Sequence, residues 1–220
     1  MKLLIIICSH AFDVKYCDNI KIMNDYIKSS NIEVEYCGIS SHNDFSNYEN
    51  IISFKYKIIN TKFQFSKLCD FITDYKLELQ YDWYIKTRPE IKLLENINFD
   101  ILSDTCINAR ARVYNGPSRI KYGMSINGVG AWSKVGDFQY KDTEENIILD
   151  DQFFIFHKNI IQNNAFDKID IIYKTDIKKR YSQNEWFHTK IFNDRKIPLN
   201  VIGIYLCFTK CNAFSGDTYR

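Results

Sequence analysis

Three short blocks of this 220-residue chain combine residue types that can do chemistry. The first is Asp82-Trp83-Tyr84-Ile85-Lys86-Thr87-Arg88-Pro89-Glu90. A proline directly after a strand stops ladder pairing and fixes the turn. Arg88 and Glu90 are thereby thrown outward at the strand's carboxyl end. An arginine there can grip a phosphate or carboxylate in fork geometry. A carboxylate there can hold a hard divalent cation, which bridges two phosphates while keeping several waters. The same two residues could equally form a surface ion pair worth little.

The second block is Leu149-Asp150-Asp151-Gln152-Phe153-Phe154-Ile155. Its two acids precede an apolar strand and could be a metal ligand, a base for an acceptor hydroxyl, or punctuation at a strand start. Adjacent acids repel, which raises one pKa if the pair is buried. The third block is Asn184-Glu185-Trp186-Phe187-His188. Glu185 could favour the positive end of a helix dipole or aim into a cleft as a base. Trp186 and His188 are candidates for lining a sugar site. Trp132, after Asn127-Gly128-Val129-Gly130, is a further stacking candidate. That glycine pair lacks the register and context of a dinucleotide fingerprint. Arg110, Arg112 and Arg119 could balance phosphate charge, but surface solvation is the expected role of each.

The elements that must position these blocks read as α/β. Leu3–Cys8 is a continuous apolar run, the pattern of a strand buried on both faces, and Ser9-His10 ends it. Asp18 is the expected N-cap of a helix with Ile20, Ile22, Met23, Tyr26 and Ile27 at helical spacing. Strands are expected at Ile32–Ile39 and Ile51–Ile59, separated by a polar loop over Ser40–Asn50. Phe63–Leu79 has the periodicity of a helix, and Tyr81–Ile85 that of a strand. Further on, strands are expected at Ile107–Val113, Phe153–His157 and Val201–Phe208, and helices at Lys158–Asn164 and Glu185–Asn193. Asn115-Gly116-Pro117 reads as a turn and 123–132 as irregular. This order indicates one domain over residues 1–220, with a mixed, mainly parallel sheet flanked by helices. Ligands in such folds bind beyond the carboxyl ends of the strands. Two such ends are Ser9-His10 and Arg88-Pro89-Glu90.

Composition excludes several classes. With 45% hydrophobic and 25% charged residues the chain is of ordinary globular type and not disordered. A net charge of +2 leaves no electrostatic footprint for nucleic acid; the run Lys178-Lys179-Arg180 reads as a solvated helix end. Seven cysteines, irregularly spaced and without a CxxC pair, argue against a zinc knuckle and for a reducing compartment. Cys8, Cys37, Cys69 and Cys207 read as small core residues. Leu3–Cys8 is too short for a signal h-region, and no later stretch approaches a membrane span. A cytoplasmic protein is the expectation. There is no Walker motif, GxSxG elbow, HExxH or kinase signature set, and the four histidines show no triad.

Taken together, YDWYIKTRPEI, DDQFFIFHKNI and NEWFHTKIFNDRKIPLNVI, in that order after a first strand, resemble small GT-A-like glycosyltransferases of bacterial surface polysaccharide and large-DNA-virus glycan pathways. The resemblance spans roughly residues 1–208 and rests on these three blocks. It implies a single GT-A-like (Rossmann-like) domain that moves a sugar from a nucleotide-sugar donor to a glycan or glycoconjugate acceptor, assisted by Mn²⁺ or Mg²⁺. Arg88 and Glu90 would then lie at the donor diphosphate, Glu90 as metal ligand in place of the more usual aspartate. Asp151 would lie near the transferred sugar or the acceptor with Asp150 beside it, and Glu185 near the acceptor. Ser9 and His10 would help form the nucleoside pocket. Two other readings stay open: an inactive domain of the same fold that binds a glycan or a protein, and a sugar nucleotidyltransferase, which is disfavoured by the lack of a Gly-rich basic loop near the N-terminus.

Overall fold

The computed structural model describes residues 1–28, 32–77, 80–113, 147–169, 184–202 and 206–208. Trp132, Arg119, the Asn115-Gly116-Pro117 turn, the 123–132 segment and Lys178-Lys179-Arg180 lie outside them. Strands β1 (Lys2–Cys8), β2 (Glu33–Ser40), β3 (Phe54–Ile59), β4 (Trp83–Thr87), β6 (Ile107–Val113), β7 (Ile147–His157) and β8 (Leu199–Val201) form one sheet. Its order is β3-β2-β1-β4-β7-β6-β8. A separate ribbon pairs β5 (Ile91–Leu93) with β9 (Leu206–Phe208). The helices are α1 (Cys17–Lys28), α2 (Gln64–Asp74), α3 (Lys158–Gln162) and α4 (Asn184–Asp194).

β1 is the centre of the design. It pairs in parallel with both β2 and β4, and β2 pairs in parallel with β3. Its apolar run is divided by the pleat into two sets. Leu4, Ile6 and Cys8 join a core with α2 residues Phe65, Leu68, Cys69, Phe71 and Ile72. Leu3, Ile5 and Ile7 join a second core with α1 residues Ile20, Met23 and Ile27. The crossover from β1 to β2 thus covers one face and that from β3 to β4 the other, which is a doubly wound α/β arrangement. β7 runs antiparallel to both β4 and β6, whereas β6 and β8 are parallel.

Several expected boundaries move. α1 starts at Cys17, so Asp18 lies in its first turn; Asp13 instead caps a preceding 3-10 turn, its side chain accepting from the Lys15 amide. The loop before β3 contains a 3-10 turn at Phe45–Asn47. The last expected strand is two short ones in different sheets, β8 and β9. The largest change concerns β7. It starts at Ile147, so Asp150 and Asp151 stand inside an 11-residue strand and do not open it.

Candidate functional site

The strand order reverses between β1 and β4, and both strands end at the same edge. Crevices at such switch points are the general ligand sites of open α/β sheets. A cleft of about 240 Å³ lies here, lined by Ser9 and His10 after β1, Ser41 after β2, and Arg88 after β4. The segment from Thr61 to Gln64 and Lys67 of α2 complete the lining. This volume falls below the roughly 300 Å³ at which pockets for drug-sized ligands begin.

Lys67 is the cation that the sequence reading missed. It sits one turn into α2 and is only 3% exposed. Its ammonium donates to the Ser9 carbonyl at 3.0 Å and to Ser41 Oγ at 2.8 Å. An ammonium has three protons, and both these partners are neutral. Burial lowers the Lys67 pKa, while the nearby Cys8 and Asp44 act the other way. The other cations of the cleft already face carboxylates: Lys62 stands 2.6 Å from Asp70, and Arg88 Nη2 stands 2.9 Å from Glu90 Oε1. A signal for Lys67 was present in the sequence. It lies four residues from both Phe63 and Phe71, on the apolar stripe of the helix, where a charge needs a reason.

Arg88 and Glu90 do come together at the strand end, but not as an exposed pair. Their side chains are 18% and 5% exposed. Arg88 Nη2 donates to Oε1 at 2.9 Å and Nε approaches Oε2 at 3.4 Å. Burial works against the guanidinium charge, but the charge and hydrogen bonds of Glu90, with Asp151 behind them, outweigh it and raise the Arg88 pKa. From α1, Asn19 Nδ2 donates to the Pro89 carbonyl at 3.0 Å and holds the turn. With both carboxylate oxygens turned to Arg88, Glu90 does not present the free oxygen pair of a hard-cation site. Among the described residues no group of three or more His, Cys, Asp or Glu side chains is disposed to hold a metal.

The acids of β7 separate in role. Asp150 is fully buried and accepts from Nε of Arg110 at 2.9 Å and from its Nη2. Its Oδ1 accepts from the Gln152 amide at 2.9 Å. Both of its oxygens are therefore engaged within the fold. Arg110, expected at the surface, is 2% exposed for the same reason. Asp151 is 2% exposed and lies electrostatically next to both Lys86 and Arg88. Its carbonyl accepts from the ammonium of Lys86, itself fully buried with Nζ 5.7 Å from the Phe154 ring centroid. Burial pulls the Lys86 pKa down, against the attraction of Asp151. Lys86, Arg88 and Asp151 act on one another electrostatically, so Asp151 lies close to the Arg88 side of the cleft.

Ser9 is 6% exposed, its amide donating to the Ile39 carbonyl at 2.9 Å, and His10 is exposed at the cleft rim. Glu185 is the second residue of α4, and its side chain lies outside the described residues, as does that of Trp186. His188 is not at a sugar site: it is 1% exposed and packs edge-on against Phe65, ring centroids 4.4 Å apart. Asp82 stands at the other end of β4, where it accepts from the Lys2 amide and from Lys158 Nζ, both at 3.0 Å. It ties β1, β4 and α3 together, away from the cleft. Cys8, Cys37 and Cys69 are buried free thiols, as expected, while the Cys207 side chain is outside the described residues. Among the described residues no helix is long and apolar enough to cross a membrane. No protein-family model matches the chain, and no curated protein matches it.

Proposed function

We propose that the chain is a glycosyltransferase of the GT-A-like kind, taking the diphosphate of a nucleotide-sugar donor into the cleft between β1, β4 and α2. The observation that carries this reading is Lys67: a nearly buried ammonium with neutral partners, opening onto a cleft at the switch point of the sheet. A phosphate oxygen is the ligand such a group favours, because a charge-assisted hydrogen bond replaces hydration lost on burial. Arg88 would add a second cation once it shares its guanidinium between Glu90 and a phosphate. Charge developing on the departing diphosphate is then met by donors already in place. Asp151, linked to Arg88, is the candidate base for the acceptor hydroxyl, with Glu185 as the other. No step is assigned to Mn²⁺ or Mg²⁺, because the Glu90 carboxylate is engaged by Arg88.

A second reading, an inactive domain of the same fold that binds a glycan or protein, is favoured by one specific feature. Glu90 and Asp150, two of the three described carboxylates nominated from the sequence, are held in buried ion pairs. A thermal-shift panel of nucleoside diphosphates, each with and without Mn²⁺, separates the readings. Stabilisation by one nucleotide, lost in Lys67→Met and Arg88→Ala, supports the transferase. No response to any nucleotide overturns it and favours the binder. A response only to a nucleoside triphosphate with a sugar phosphate points to the nucleotidyltransferase.

A further inference from the structure

At the mouth of the cleft two histidines meet. His10 follows β1 and His42 follows β2; both are exposed, and their Nε2 atoms are 3.4 Å apart. The rings stand edge to face, centroids 4.9 Å apart at 76°. That nitrogen separation is long for an N–H···N hydrogen bond. It matches the span of two metal–nitrogen bonds of about 2.05 Å meeting at a tetrahedral angle, roughly 3.3–3.4 Å.

The pair is also held in place from below. Ser40, fully buried at the end of β2, accepts from the His42 amide at 3.1 Å and has its hydroxyl 3.2 Å from the His10 carbonyl. The same hydroxyl donates to Asp44 Oδ1 at 2.8 Å, and Asp44 Oδ2 accepts from the Phe12 amide at 2.7 Å. The Ser41 amide donates to the His10 carbonyl at 3.0 Å. One buried serine and one aspartate therefore fix both histidine-bearing loops to each other. Two imidazoles whose Nε2 atoms are held 3.4 Å apart through a shared backbone anchor have the spacing of a chelate.

We propose that His10 and His42 form a two-histidine site for a borderline divalent transition ion such as Zn²⁺ or Ni²⁺. Its open coordination positions take water, or a phosphate oxygen of a molecule in the cleft. Imidazole nitrogen suits these ions and not Mg²⁺, which prefers oxygen. The site is distinct from Glu90 and does not depend on the glycosyl-transfer reading, because its test uses the metal alone.

The test is calorimetric titration of the full chain with Ni²⁺ and, separately, Zn²⁺, in buffer without nucleotide. Parallel titrations use His10→Ala, His42→Ala and, as a control at a remote, partly buried histidine, His157→Ala. The expected result is one site per chain that weakens by at least about tenfold in each of the first two variants and is unchanged in the third. Absence of binding to the wild type overturns the proposal. So does binding that survives both variants, or that depends on only one of the two histidines. Nucleoside diphosphate binding measured in the same preparations without metal keeps this result separate from the fate of the transferase reading.

Discussion

The Lys67 cleft and the Arg110–Asp150 pair both bring buried cations to the same sheet, but they satisfy them differently. In the pair, a guanidinium and a carboxylate on neighbouring strands neutralise each other, with side chains 3% and 0% exposed. In the cleft, Lys67 is held by a carbonyl and a hydroxyl and borders open volume. Removing a charge from water is costly in both places. The pair recovers much of that cost internally, through two hydrogen bonds from Arg110 to one oxygen of Asp150. The cleft recovers it only in part, and a phosphate would complete it. Buried cations of one fold thus fall into opposite classes according to whether a carboxylate reaches them.

The comparison can be broken most severely at the pair. Asp150→Ala leaves Arg110 buried without its counter-charge and is expected to cost about 3–5 kcal/mol, measured by urea denaturation. If the two form a closed ion pair, Arg110→Met with Asp150→Leu recovers most of that loss. A loss under about 1 kcal/mol for Asp150→Ala would mean the pair is solvated.

A second test acts on the packing behind the loop that follows β2. A Cβ added at Gly38 of β2 would lie 2.8 Å from Phe45, which packs on Phe12 and Phe54 beneath the loop that carries His42 and Asp44. Gly38→Ala should cost about 1–3 kcal/mol by overpacking. It should also weaken ligand binding at the cleft, while leaving the effect of Asp150→Ala additive.

A smaller effect, confined in pH, concerns Lys86. Burial lowers its folded pKa below the unfolded value, so between the two the unfolded chain binds more protons. The contribution of Lys86 to stability therefore rises with pH as the folded lysine deprotonates, and is complete above the unfolded pKa near 10.4. Lys86→Met should remove this rise. The check is the difference between wild-type and variant stability across the alkaline range, since buried Cys8, Cys37 and Cys69, whose pKa values burial raises, titrate in both proteins. A difference that is flat in pH contradicts the assignment.

How much of this was legible in the sequence follows from locality. The β1 run, its division between two faces and the helical stripe of α1 follow from period and burial, which neighbouring residues decide. The turn at Arg88-Pro89-Glu90 was legible too, since proline fixes it locally. The setting of Asp150 was not. An acid inside a strand reads as a boundary unless a guanidinium meets it from a strand 40 residues away in sequence. The meeting of His10 and His42 is equally non-local, being produced by the parallel register of β1 and β2. Lys67 was legible in principle, as a charge on an apolar stripe, but only the fold shows that the stripe faces the end of β1.

The most direct test of the central claim is titration calorimetry of the full chain with nucleoside diphosphates, comparing wild type with Lys67→Met. The account predicts that one diphosphate binds the wild type and that the variant loses about 1.5–3 kcal/mol of affinity, the worth of one charge-assisted hydrogen bond, with its folded stability retained. Equal binding of the diphosphate by both proteins would contradict it.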